Sequence, residues 1–205
     1  MLTFSPYLYQ VFGLLTNPEY GFRLVNSYED ARSLRLVFDL ISGRSLAGDM
    51  ASWPPLTELG NALRLAKRLE VWAVYALLAG YIQNKLLFQN WGRQSFDVFR
   101  LAGAVGDDKL ARFAVDAMQR QSDANLAATS WSEDEVRDGS HLPSMLWCPG
   151  TWTPEEFDAI PPAYTYALAR ATVAAAVPYE DKTKAFGSYA LAENFAHFLS
   201  VYRSE

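Results

Sequence analysis

Two stretches of this chain share one pattern. ALRLAKRLEVWAVYALLAGYI spans residues 62–82 and DVFRLAGAVGDDKLARFAVDAM spans residues 97–118. At an offset of 36 residues Arg64-Leu65-Ala66 recurs as Arg100-Leu101-Ala102, while Leu69 falls on Val105, Val74 on Leu110, Leu77 on Phe113 and Ile82 on Met118. Apolar residues at helical spacing on both sides of a short break read as helix, tight turn, helix. Written twice, that unit predicts two successive α-hairpins that stack and bury the faces they offer each other. Leu65, Leu69, Val74, Leu77, Leu101, Phe113 and Met118 are the residues expected at such a buried interface.

The turns are legible too. Leu69-Glu70-Val71 closes the first copy, and Gly106-Asp107-Asp108 gives the second a glycine for its helix end and acidic residues for the next helix start. The segment from Trp72 to about Leu87 is apolar nearly all round, which predicts a helix in the middle of the core.

Around the repeat the pattern stays helical. Ser5-Pro6 followed by Tyr7, Leu8, Val11, Phe12 and Leu15 predicts an amphipathic helix ended by Asn17-Pro18. Phe22-Arg23-Leu24-Val25 is the one alternating run that reads as a strand. Asn26-Ser27 then reads as the cap of a helix with face Ala31, Leu34, Val37, Phe38 and Ile41, ended by Gly43. Pro54-Pro55 opens the first hairpin.

After Gln121 the composition shifts. Five of the ten prolines lie between Pro143 and Pro162, with Trp131, Trp147, Trp152 and the acidic run Glu133-Asp134-Glu135 nearby, predicting a long loop over about 122–162. Short helical turns are expected at 132–137 and 154–159. Helical pattern resumes at Ala163–Val177, breaks at Pro178 and returns with a stripe of Leu191, Phe195, Phe198 and Tyr202. The fold class is therefore mainly α with minimal sheet, built from stacked α-hairpins.

Half of the 205 residues are hydrophobic and one fifth charged, enough to bury a core. A net charge of −5 leaves no basic footprint for nucleic acid. The N-terminus lacks a signal-peptide pattern, and the longest uncharged apolar run, Val71 to Ile82, falls short of the roughly 18 residues of a membrane span. Cys148 is the only cysteine, which excludes an intramolecular disulfide and fits a reducing compartment, so cytoplasm or nucleus is the expected location and neither nucleic acid nor membrane the expected partner.

The residue types that carry chemistry do not form a recognisable set. Glu193 and His197 share a helix face and could give a metal two ligands, but no further histidine or carboxylate pattern completes the set, so a structural pair is the reading. Asp107-Asp108 suits a helix start. Cys148 has no basic neighbour to lower its pKa. No catalytic, cofactor-binding or metal-ligating residue is assigned, and no cofactor is expected. The tryptophans of the long loop either seal it onto the helices or present anchors to another protein, with sealing the first expectation. Trp131, Trp147 and Trp152, with Tyr7 and Phe12, are the candidate partner-binding residues. A second reading is a helical ligand carrier or enzyme with a pocket lined by Trp72, Tyr75, Tyr164 and Tyr166.

The order of these pieces resembles the second half of a BTB/POZ domain followed by a BACK-like helical extension, in the fungal form. Ser5-Pro6-Tyr7-Leu8-Tyr9-Gln10-Val11-Phe12 is similar to that family's S-P-V-F-x-x-M-F helix. Phe22 to Asn26, with Leu34, Leu36-Val37, Leu40-Ile41 and Ser42-Gly43, resembles its strand and the helix with its closing turn. Ala66-Lys67-Arg68-Leu69-Glu70-Val71 stands at its A-x-K-Y-x-M step, and Phe96 to Ala102 with Leu110 to Ala114 resembles its extension. The likeness covers most of residues 5–120. It implies a partial BTB/POZ-like domain over 1–88, a helical extension over 89–205, and an adaptor or scaffold that binds a protein partner or itself. The chain opens inside the S-P-V-F helix, so the family's first strands have no counterpart. That implies an open sheet edge at Phe22–Val25, marginal stability alone, and recruitment of a partner or a second copy.

Overall fold

In the computed structural model the described residues are 30–44, 46, 54–88, 92–128, 149–176 and 190–204. They form eight α-helices: α1 (Ala31–Ile41), α2 (Leu56–Arg68), α3 (Trp72–Phe88), α4 (Gly92–Val105), α5 (Asp108–Ala128), α6 (Pro154–Asp158), α7 (Pro162–Ala176) and α8 (Ala190–Ser204). A 3-10 turn occupies Pro149–Thr151. The described residues contain no strand. Phe22–Val25, where the sheet remnant was expected, lies outside them, as do Tyr7 and Phe12. The chain divides into two compact units, Met1–Lys85 and Leu86–Glu205.

In the first unit α1 packs on α2. Its cap is Asp30, not the expected Asn26-Ser27, because the Asp30 Oδ1 accepts the Ser33 N–H at 2.8 Å and so satisfies an orphan donor of the first turn. The other carboxylate oxygen accepts from Ser33 Oγ at 3.1 Å and Asn61 Nδ2 at 3.3 Å, which ties α1 to α2. These donors, the Ser33 N–H first among them, hold the Asp30 carboxyl below the usual carboxylate range. Gly43, at φ +79°, ends the helix as expected.

α3 corrects the sequence reading. One side buries Val74, Leu78, Ala79, Ile82 and Leu86, but Trp72 is 58% exposed, Leu77 50% and Leu87 46%. The expected burial of Leu77 therefore fails. The buried positions subtend one arc of the wheel, and position 77 lies on the opposite side of it.

In the second unit α5 packs on α4 and α8, and α7 on α8. Phe96, Phe99, Ala102, Leu110, Val115, Met118, Leu168 and Phe195 form its core. Gly103 of α4 admits Pro161, whose Cδ would stand 2.7 Å from a Cβ added there. Helix α5 continues through Ala128, into the region expected as loop, whose first proline is Pro143. Phe113 is half-buried and not a core residue, and Tyr202 lies at the surface, not on the inner stripe of α8.

The two hairpin turns obey the same 36-residue offset. Val71 N–H donates to Ala66 O and Asp107 N–H to Ala102 O, both at 2.9 Å, while Glu70 N–H to Lys67 O and Gly106 N–H to Gly103 O are both 3.1 Å. Each is a Schellman closure with its pivot in the left-handed region, Glu70 at φ +56° and Gly106 at φ +66°. The next helix then starts alike, Tyr75 N–H to Val71 O and Ala111 N–H to Asp107 O, both at 2.9 Å. Only the second copy has a side-chain cap, Asp107 Oδ1 accepting the Leu110 N–H at 2.9 Å.

Candidate interaction surfaces

Among the proposed aromatic anchors only Trp152 is described. It sits half-buried, its ring edge-on to Phe96 at 5.1 Å and to Phe157 at 6.3 Å, and tilted to Phe99 at 6.4 Å. Thr153 and Glu156 close a capping box beside it, Thr153 N–H to Glu156 Oε2 at 3.0 Å and Glu156 N–H to Thr153 Oγ1 at 3.3 Å. Trp152 thus holds the segment before α7 against α4. Trp131, Trp147, Cys148, His141 and Glu133 to Glu135 lie outside the described residues.

Among the described residues Asp107, Asp108, Tyr164 and Glu193 are engaged in structural bonds. Asp107 caps α5. The Asp108 carboxylate accepts the Tyr164 hydroxyl at 2.6 Å through Oδ1 and pairs with Arg203 through Oδ2. Arg203 also lies over the Tyr164 ring, 5.9 Å from its centroid. Burial, followed by the hydrogen bond and charge of Asp108, pushes the Tyr164 phenol well above its ordinary titration range. Tyr164 is therefore a neutral donor that anchors α7 to the start of α5. A shallow depression of about 310 Å³ beside it is lined by Asp108, Ala196, Leu199, Ser200, Arg203 and Ser204. Glu193 turns to Arg112, Oε1 to Nη2 3.8 Å, and His197 stands edge-on to Phe198. Among the described residues no three His, Cys, Asp or Glu side chains group as metal ligands.

The four aromatics of the alternative pocket are distributed otherwise. Trp72 and Tyr75 belong to the first unit, where they pack edge to face at 6.0 Å with Trp72 exposed. In the second unit Tyr164 is buried, whereas Tyr166 is exposed.

Two surfaces that the sequence reading missed stand out. The first is the outward side of α3, where Trp72, Ala73, Ala76, Leu77 and Leu87 are exposed together with Asn84. The only charge in this helix points inward: Lys85 is buried, and its ammonium donates to Pro54 O at 2.7 Å. Burial lowers its pKa. A helix with a buried charge and an apolar outer side inverts the usual amphipathic arrangement. The second surface lies across α7 and α8. Tyr166 meets Tyr202 at 5.3 Å between ring centroids, and the Arg170 guanidinium lies over Phe198, 5.3 Å from its centroid. The pairs 166·202 and 170·198 have a constant residue-number sum, the register of antiparallel neighbours.

Among the described residues no helix is long and apolar enough to cross a membrane. No family model, curated protein or solved structure matches the chain.

Proposed function

We propose that this chain is a non-enzymatic protein–protein interaction module. The observation that carries the reading is the outward side of α3, where Trp72, Leu77 and Leu87 are exposed in a helix whose one charge is buried. Soluble proteins keep contiguous apolar patches small unless a partner covers them, and tryptophan is among the residues enriched at interfaces. The structural use of Asp107, Asp108, Tyr164 and Glu193 supports the non-enzymatic part, since each is committed to a cap, a hydrogen bond or an ion pair. The BTB/POZ-like adaptor reading belongs to this proposal through the motif order over residues 5–120, and an intracellular setting through the single cysteine.

The test is cross-linked affinity capture from source-cell lysate, comparing the wild type with Trp72→Ser/Leu77→Ser, followed by two-component binding with each recovered protein. The proposal expects a protein that binds the wild type directly and loses binding to the variant. Identical recovery and binding by both forms would remove the α3 face as the interaction site.

A further inference from the structure

The α7–α8 strip carries a complementarity of its own. Along α7 the solvent side shows Tyr166, Arg170 and Val173, and along α8 Phe198, Val201 and Tyr202, all at least partly exposed. Arg170 is the only charged residue in α7. Arg100, Arg112, Arg120 and Arg203 of this unit each have a carboxylate partner, whereas Arg170 rests on an aromatic ring. Besides Tyr202, the charged or titratable groups of α8 are Glu193, His197 and Arg203; Glu193 is turned to Arg112 and Arg203 to Asp108. Tyr166 and Tyr202 offer hydroxyls at the same surface, each residue 41% exposed and neither hydroxyl bonded to another described residue. Among the described residues the strip therefore presents the Arg170 guanidinium and two tyrosine hydroxyls with no facing carboxylate, on an apolar floor, in a chain whose net charge is −5.

We infer that this strip docks a peptide segment of a partner protein bearing a carboxylate flanked by apolar side chains. The carboxylate answers the Arg170 fork and the tyrosine hydroxyls with charge-assisted hydrogen bonds. Its apolar neighbours cover Val173, Val201 and the Phe198 ring, and tyrosine and arginine are the residue types in which binding energy concentrates. A second copy does not meet these needs. A two-fold contact sets the same patch against itself, so Arg170 would face a second Arg170 and no carboxylate among the described residues of the strip. The inference shares the interaction class of the proposed function but concerns a different surface, on α7 and α8 of the second unit.

The experiment is a display selection of random 12-residue peptides on the full chain, with Kd measured by fluorescence anisotropy for the enriched sequences and sedimentation velocity on the chain alone. Enriched peptides should combine Asp or Glu with Leu or aromatic residues. Arg170→Ala and Tyr202→Ala should each weaken them by roughly 10- to 30-fold, the loss when an interface hot spot is truncated. Arg170→Glu should favour basic peptides, while Trp72→Ser/Leu77→Ser should bind the acidic ones as the wild type does. Melting curves of the Arg170 variants should match the wild type, since the side chain is exposed. Selection of peptides without acidic enrichment, binding that survives Arg170→Glu unchanged, or no enrichment at all would overturn the inference. A dimer that Tyr202→Ala dissolves would assign the strip to a second copy and overturn it equally. Loss of α3-dependent capture with the peptide results intact would fail the proposed function alone.

Discussion

Glu70 and Gly106 are the same residue of the same turn, 36 positions apart, each placed in the left-handed region by an identical pair of backbone hydrogen bonds. Glycine adopts that conformation without penalty, whereas a side chain there costs about 1 kcal/mol or more. Glu70→Gly should therefore stabilise the chain by about 0.5–1 kcal/mol, and Gly106→Ala should destabilise it by about 1 kcal/mol. Urea midpoints of the two variants check this; shifts of the same sign would show that the turns are not equivalent.

Asp107 gives the second turn a cap that Val71 cannot give the first. Removing it with Asp107→Ala should cost about 1 kcal/mol. The matching Val71→Ala loses no cap, so a denaturant comparison should show the smaller effect at position 71.

Two helical glycines separate propensity from packing. Nothing lies within 4 Å of a Cβ built on Gly80, whereas one built on Gly103 meets Pro161 Cδ at 2.7 Å. Gly80→Ala should stabilise by up to about 1 kcal/mol from helix propensity. Gly103→Ala should destabilise in spite of the same propensity gain, because a ring packed on a helix has little room to retreat. Thermal melts of the pair decide it.

Tyr164 makes stability depend on pH at the alkaline end. Its folded-state pKa is raised above the unfolded value of 10.0, so the unfolded chain releases the proton first. The stabilisation is fully present below pH 10 and is lost as pH rises from there through the folded pKa. Tyr164→Phe should be less stable near neutrality, by about 1 kcal/mol for the lost hydrogen bond, and should lose the part of the alkaline slope that belongs to this residue. Parallel slopes for both forms would place the titration elsewhere.

The local parts of this architecture were legible in the sequence because their causes are local. Gly43, Gly106, Asp107 and Pro54-Pro55 mark helix ends through backbone geometry that neighbouring residues impose, and the 36-residue offset carries the turn pattern from one hairpin to the other. The sidedness of α3 was not legible, because a helix apolar all round has no periodicity from which an inner side can be chosen. Lys85 held the missing clue, but its partner Pro54 is 31 residues away. The same distance problem hid the Asp108 cluster, whose partners lie 56 and 95 residues off. For Phe113 and Leu77 the error is shared, since both copies turn this apolar position away from the fully buried side. Arg170 and Tyr202 were readable only as helix residues until α7 and α8 were set side by side.

The sidedness of α3 is the claim on which the interaction reading stands, and neighbouring leucines test it. Leu77 is half exposed and Leu78 fully buried. In urea unfolding of the isolated chain, Leu78→Ala should cost about 2–5 kcal/mol, the range for a buried leucine. Leu77→Ala should stay within about 0.5 kcal/mol of the wild type, as surface substitutions do. Equal losses at both positions would mean that Leu77 is already covered in the isolated chain, and would contradict an open apolar face on α3.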